Sequence, residues 1–192
     1  MDAQEVLDFW FLPPSDPGHG KQRAEWFRKD HAFDAAVRER FGAAIDHAIT
    51  GGLREWDEEG PRGVLARILV LDQFTRNAYR GTAESFAGDA LALNAARQLV
   101  ASGGHLALSP LERVFVYMPF EHAEDARTQE QSVELFTDLA ASHEGFSEQL
   151  DYAHRHRGVI ARFGRFPHRN PILGRASTPD EQDYLSRPGA GF

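Results

Sequence analysis

The sequence predicts an all-α fold in which short helices pack as antiparallel pairs. No segment shows the alternation of polar and apolar residues that marks a half-buried strand. Apolar residues recur instead every three or four positions, and glycine or proline ends each such segment. Seven or eight helices with tight connections favour side-by-side antiparallel packing, although no regular repeat of about 34 residues is visible.

The length and composition fit one domain. The chain has 192 residues, of which 42% are hydrophobic, and this is enough to form a core. We expect a single helical domain over residues 1–186. Residues 187–192, which read RPGAGF, are expected to form a flexible tail.

The composition also narrows the expected cellular compartment and the kinds of binding partner. The chain lacks cysteine, so disulfides and thiolate chemistry are excluded and a cytoplasmic location is expected. No apolar run approaches the roughly 18–20 residues that cross a bilayer, and the acidic start MDAQEVLDFW does not resemble a secretory signal. A net charge of −8 argues against general adhesion to nucleic acid or membranes, so an anion-binding site must be local.

The first half of the chain contains four predicted helical segments. The apolar spacing predicts a helix over residues 2–11. Residues 21–49 carry apolar side chains mostly at four-residue steps, but the spacing slips near Asp30, so this segment is either one helix or two. Helices over residues 64–80 and 83–102 follow, each closed by glycine.

The second half of the chain adds four more predicted segments. Residues 109–112, SPLE, form a capping box that opens a helix through Met118. Two helices are predicted around residues 128–141 and 146–163. Residues 178–181, TPDE, repeat the capping box and predict a last short helix.

A buried ion pair is expected in the helix over residues 64–80. At 100° per residue, apolar side chains cover nearly all of its surface, and Asp72 falls among them. Because a buried carboxylate needs a partner, we expect it to pair with Arg76, four residues later. The pair either ties helices together, which we favour, or forms the wall of a polar pocket with Asn77 and Arg80.

Residues 121–125, EHAED, group a histidine with carboxylates. Because Pro119 kinks or restarts a helix, we expect these acids in a solvated first helical turn, where the macrodipole favours them. In the alternative interpretation, a carboxylate orients His122 as a general base. The segment lacks the spacing of known metal motifs, so we predict neither a metal site nor a cofactor.

The stretch over residues 154–175, HRHRGVIARFGRFPHRNPILGR, gathers six arginines and three histidines without an acid or a lysine. The rest of the chain therefore carries −14, which is −8 less the six arginine charges. Guanidinium forks match carboxylate and phosphate geometry, and this favours an anion site. Internal ion pairs with the acidic remainder explain the pattern equally well, and a nucleic-acid patch is a third, weaker explanation.

Three motifs are specific enough to suggest a family: LDQFTRN at residues 71–77, YMPFEHAED at 117–125 and FGRFPHRNPILGR at 163–175. Together they resemble the bacterial family catalogued as domain of unknown function 924, over nearly the whole chain. Ala123 departs from the small hydroxyl residue expected there. The resemblance implies an all-helical, tetratricopeptide-like architecture and no established activity.

The leading hypothesis is a single polar pocket for a small anionic ligand that carries a carboxylate or phosphate. The candidate catalytic residues are His122, His168, Asp72 and Glu121. The candidate ligand-binding residues are Arg76, Asn77, Arg80, Arg157, Arg165, His168, Arg169 and Arg175. The alternative is an interaction module that clamps a partner's acidic segment or C-terminal carboxylate, and the third hypothesis is RNA binding through residues 154–175. The sequence assigns no reaction, does not decide whether the protein is an enzyme, and gives no oligomeric state.

Overall fold

A computed structural model describes residues 1–191, and within that range it contains nine α-helices and no strand, which confirms the all-α prediction. The helices are α1 (Ala3–Phe11), α2 (His31–Ile49), α3 (Pro61–Ile68), α4 (Thr75–Ala78), α5 (Asp89–Ala101), α6 (Pro110–Glu121), α7 (Ala126–Ser142), α8 (Ser147–Phe163) and α9 (Pro179–Leu185). Short 3₁₀ turns occupy several of the connections. No helix within residues 1–191 is long and apolar enough to span a membrane.

The chain divides into two compact units. The first unit comprises Met1–Arg80 and Glu84–Pro119, and the second comprises Gly81–Ala83 and the chain from Phe120 onward. The single domain expected over residues 1–186 stays a prediction. Of the expected flexible tail, residues 187–191 lie in turns and bends, and residue 192 lies outside the described residues.

The helix starts follow the capping signals in the sequence. Asp30 is the N-cap of α2 and accepts hydrogen bonds from two backbone N–H groups. The irregular apolar spacing near Asp30 therefore marks the start of α2, after a short 3₁₀ turn. Both predicted capping boxes are present. Ser109 and Glu112 exchange backbone-to-side-chain hydrogen bonds at 2.9 and 3.3 Å, and Thr178 and Glu181 exchange them at 2.8 and 3.3 Å.

An aromatic core holds the first unit together. Trp10 of α1 is fully buried between Trp26, stacked at 5.6 Å, and Phe115 of α6, which meets it edge-on at 5.4 Å. Phe41 of α2 and Phe74 are in contact at 4.7 Å between ring centroids. Such aromatic pairs contribute about 0.5–1.5 kcal/mol each beyond the burial of their area. This packing fixes α1, α2 and α6 around the segment that follows α3.

That segment, Leu69–Phe74, is a π-helical turn between α3 and α4, and all six of its side chains are buried. The sequence analysis did not predict it. A π turn is wider than an α turn, so the 100° step assumed over residues 64–80 is wrong across these positions. Gly88 packs directly on the turn, because a Cβ at this position would lie 2.1 Å from the carbonyl oxygen of Leu71.

Helices α7 and α8 form an antiparallel pair in the second unit. Residues 143–146 connect them, and Arg157 in α8 returns to Glu130 near the start of α7, at 3.2 Å between Nη1 and Oε2. Gly164 caps the C-terminus of α8, and its φ of 69° is the left-handed conformation that glycine adopts readily at this position. A 3₁₀ turn, Pro167–Arg169, and helix α9 follow.

The expectation of a solvated helical turn over residues 121–125 is wrong. Helix α6 continues through Pro119 and ends at Glu121, whose side chain is only 5% exposed. Asp125 lies outside both helices as the N-cap of α7, where it accepts a hydrogen bond from the Thr128 N–H at 2.8 Å. The EHAED motif is therefore a helix end followed by a cap.

The contact of Gly88 with the π turn gives a testable prediction. Replacing Gly88 with Ala should lower the free energy of unfolding by about 1–3 kcal/mol, because the added methyl group meets a backbone oxygen that cannot rotate away. Gly42→Ala in α2 is the matched control, since a Cβ there meets nothing within 4 Å and should stabilise the helix. Urea unfolding checks both, and equal stability of the two variants would contradict the packing.

Candidate functional site

The predicted Asp72–Arg76 pair is present in the first unit. Asp72 has no exposed surface, and its Oδ1 lies 3.1 Å from Nη1 of Arg76. Arg76 also makes two hydrogen bonds to Asp89, at 2.8 and 3.1 Å. Burial acts to lower the pKa of Arg76, but the charges of Asp72 and Asp89 raise it above its ordinary value. This arrangement matches the favoured interpretation of a tie between helices.

Asn77 and Arg80 converge on Asp34 of α2. Asn77 donates to Oδ1 at 2.8 Å, and Arg80 donates to both carboxylate oxygens at 2.7 and 2.9 Å. Burial acts to raise the pKa of Asp34, but the hydrogen bonds from Arg80 and Asn77 hold it below its ordinary value. In the first unit, the predicted ligand-binding residues are therefore held by carboxylates.

Three predicted arginines of the second unit also bind carboxylates. Arg157 pairs with Glu130, Arg165 makes two hydrogen bonds to Glu181 at 2.7 and 2.8 Å, and Arg175 makes two to Glu124 at 2.6 and 2.9 Å. The pKa of Glu181 is lowered to about 2, chiefly by the hydrogen bond from Arg165. These contacts are the internal ion pairs that the sequence analysis considered beside an anion site.

Two histidines and an arginine contact Phe166 in the second unit, and a third histidine, His122, lies beside one of them. We call His122, His156, His168 and Arg169 the histidine–arginine cluster. The Phe166 ring is fully buried, with the ring centroids of His156 and His168 at 5.5 and 5.7 Å. The guanidinium carbon of Arg169 lies 4.8 Å from the centre of the same ring. The His122 and His156 rings are 6.3 Å apart.

His156 and Glu121 form a buried pair at one side of the cluster. The side chain of His156 is 7% exposed, and its Nδ1 lies 2.9 Å from Oε1 of Glu121 and 2.9 Å from the Tyr152 carbonyl oxygen. Both partners accept hydrogen bonds, so Nδ1 carries the proton. In the neutral ring, Nε2 is then the acceptor, which is the tautomer that a carboxylate-oriented base requires.

The neighbouring side chains of His168 and Arg169 differ in charge near pH 7, because the imidazole is neutral and the guanidinium is positive. Burial, followed by the charges of Arg169 and His156, lowers the pKa of His168 to about 4, so this ring is neutral near pH 7. Arg169 is 7% exposed and donates from Nη2 to the His122 carbonyl oxygen at 2.9 Å. The cluster therefore combines a buried, oriented guanidinium with imidazoles that are partly open to solvent at His122 and His168.

The sequence analysis missed His156. The signal was available, because Ala153, His156 and Ile160 share a helical face and all three are buried. The predicted candidates include His122, Glu121, His168 and Arg169. The structure places His168 and Arg169 against the Phe166 ring, and Glu121 and His122 beside His156. Within residues 1–191, no three histidine, aspartate or glutamate side chains are arranged to hold one metal ion.

Two shallow grooves in the second unit are lined largely by residues of α8 and α9. One, of about 290 Å³, is lined by Arg155, Gly158, Val159, Arg162, Phe163, Tyr184 and Gly189. The other, of about 420 Å³, is lined by Arg162, Phe163, Arg165, Thr178, Asp180 and Glu181. Arg162 borders both grooves and lies 4.6 Å above the Phe163 ring, and it pairs with no carboxylate within residues 1–191.

The fold and the cluster define an all-helical protein with a histidine-rich polar site. The chain belongs to the bacterial family of proteins of unknown function DUF924, whose profile matches residues 6–189, and this confirms the resemblance seen in the three motifs. It is also similar to the solved structure of ATU0120, a protein of unknown function from Agrobacterium tumefaciens, with 41% identity, 96% of each chain covered and a TM-score of 0.81. A search of the curated proteins found no match.

The low pKa of His168 predicts a pH dependence of stability. The unfolded chain takes up this proton near pH 6.5 but the folded protein only near pH 4, so the free energy of unfolding should fall as the pH drops between these values. The loss should be steeper in the wild-type protein than in His168→Asn, by at most about 1.4 kcal/mol per pH unit. Urea unfolding at several pH values measures this difference. Parallel curves would show that His168 titrates normally.

Proposed function

We propose that the second unit binds a small anionic ligand, carrying a carboxylate or a phosphate, at the histidine–arginine cluster. The observation that supports this most is Arg169, a buried guanidinium held in a fixed orientation by the Phe166 ring and the His122 carbonyl. A pre-oriented guanidinium loses little freedom on binding and offers paired donors to an anion. The neighbouring imidazoles supply further hydrogen bonds.

Two carboxylates near the cluster hold the residues around it in place. Glu124 accepts two hydrogen bonds from Arg175 and one from the Phe166 N–H at 2.7 Å, and Glu121 pairs with His156. We propose His122, His168 and Arg169 as the contacts to the ligand. Arg175 acts instead as support for the loop after α8, because it holds Glu124 against that loop.

If the site is catalytic, His156 is the strongest candidate for a base, because Glu121 fixes its tautomer. His168 is neutral near pH 7 and resists protonation, so it suits hydrogen bonding better than charge attraction. The His122 ring lies beside the His156 ring, and the His122 carbonyl accepts the hydrogen bond that orients Arg169. These roles extend the proposal without requiring a particular reaction.

A thermal-shift titration with inorganic phosphate, sulfate and small carboxylates tests the site. A ligand that binds only the folded protein should raise its stability by about 2.7 kcal/mol at a concentration of 100 Kd. Arg169→Lys should keep the fold but lose most of the stabilisation, since a lysine ammonium lacks the planar fork. The matched control is Arg127→Lys, an exposed arginine of α7 that should respond as the wild-type protein does. Equal stabilisation of all three proteins would refute the proposal.

The alternative function, an interaction module for an acidic segment or a C-terminal carboxylate, is favoured by a separate observation. Arg162 lies between the two grooves on α8 and α9 without a carboxylate partner in the described part of the chain. The 290 Å³ groove has an apolar floor that includes Val159 and Phe163. An acidic peptide with an apolar side chain would suit this surface.

Fluorescence anisotropy with a labelled acidic peptide tests the alternative. Arg162→Gln should weaken binding by about tenfold, the effect of losing about 1.4 kcal/mol, whereas Arg127→Gln should leave it unchanged. No binding to the wild-type protein, or equal binding to both variants, would remove this alternative. Because Arg162 is not part of the cluster, Arg162→Gln should not alter stabilisation by phosphate.

The proposal extends to two finer points of architecture and location. We propose that α7 and α8, two 17-residue helices joined by a short connection, pack as a tetratricopeptide-like pair. We also propose a cytoplasmic location, in keeping with the lack of cysteine.

A further inference from the structure

The segment Arg187–Gly191 follows α9 and brings Gly191 against His168, one member of the cluster. Two backbone hydrogen bonds shape it: the Arg187 N–H donates to the Tyr184 carbonyl at 3.1 Å, and the Ala190 N–H donates to the Arg187 carbonyl at 3.2 Å. Gly191 then lies against His168. A Cβ at Gly191 would be 3.0 Å from the Cβ of His168, 3.5 Å from its Cγ and 3.8 Å from its Nδ1.

We propose that residues 187–191 form a lid over the histidine–arginine cluster, and that an anionic ligand reaches His168 only when Gly191 moves away. This inference rests on the proposed anion site and adds the regulation of access to it. The backbone of Gly191, rather than a side chain, covers one side of the imidazole. A lid that must lift makes the apparent affinity depend on how often it is open.

Two features favour glycine at position 191. Its φ of 94° lies in the left-handed region, and a Cβ would lie 3.0 Å from the Cβ of His168, so the His168 side chain would have to shift. Gly189 has a similar φ of 76°, but a Cβ there would meet nothing within 4 Å. The two glycines therefore separate the effect of backbone strain from the effect of contact with His168.

The lid is held weakly enough to open. Besides the two backbone hydrogen bonds, an ion pair of Arg187 with Asp183 holds the segment, and both of its side chains are 59% exposed. Exposed pairs of this kind contribute about 0–1 kcal/mol. Segments with few buried contacts open locally at low cost, so the folded protein can sample the uncovered state without unfolding.

The first test measures access to His168 and needs no ligand. Diethyl pyrocarbonate modifies neutral imidazoles, and mass spectrometry gives the rate at each histidine. Gly191→Val should raise the rate at His168 at least about threefold, because the lid can no longer lie on the ring. Gly189→Val should raise it less, and the exposed His154 should react at the same rate in all three proteins. An unchanged rate at His168 in Gly191→Val would overturn the lid.

The second test links the lid to the anion site by titrating inorganic phosphate into the same proteins. Gly191→Val should bind phosphate more tightly than the wild-type protein, up to about tenfold if the lid is closed nine-tenths of the time. Weaker binding by Gly191→Val would contradict a lid that excludes the ligand. If no protein binds phosphate or the other anions of the panel, the proposed function fails, and the modification rates still decide whether the lid exists.

Discussion

The need to pair buried charge is the constraint on which this structure depends. A guanidinium removed from water requires oxygen acceptors, and the removal of one partner from a buried pair costs about 3–5 kcal/mol. Arg76 meets this requirement through Asp72 and Asp89, and Arg67 through two hydrogen bonds to Asp57 at 2.8 and 2.6 Å. The same requirement fixes the conformation of the loop after α8, where Arg175 and the Phe166 N–H both donate hydrogen bonds to Glu124.

The histidine–arginine cluster follows from that paired framework. Glu124 fixes the backbone at Phe166, and the buried ring of Phe166 then positions His156, His168 and Arg169. Gln129 supports the other side, since its amide donates to the carbonyl oxygens of Glu121 and Ala123 at 2.6 and 2.8 Å. Groups supported in this way keep a fixed geometry, and preorganised groups lose little freedom when they bind a ligand.

Local signals in the sequence predicted the helices well, because capping boxes and apolar spacing act over a few residues. Contacts between distant residues were not predictable in this way. Arg175 and Glu124 are 51 positions apart, and nothing in either motif identifies the other as its partner. The burial of Glu121 was missed because it depends on His156, which lies on another helix. The π turn was missed because the apolar pattern over residues 64–80 fits an α-helix equally well.

The most direct test of the central claim is an NMR titration with inorganic phosphate that follows the side-chain nitrogen signals of histidine and arginine. The account predicts saturable shifts at His122, His168 and Arg169, with a single dissociation constant, and no shift at the exposed His154. Shifts confined to Arg162, or a uniform response of all exposed cations, would contradict an anion site built around Phe166.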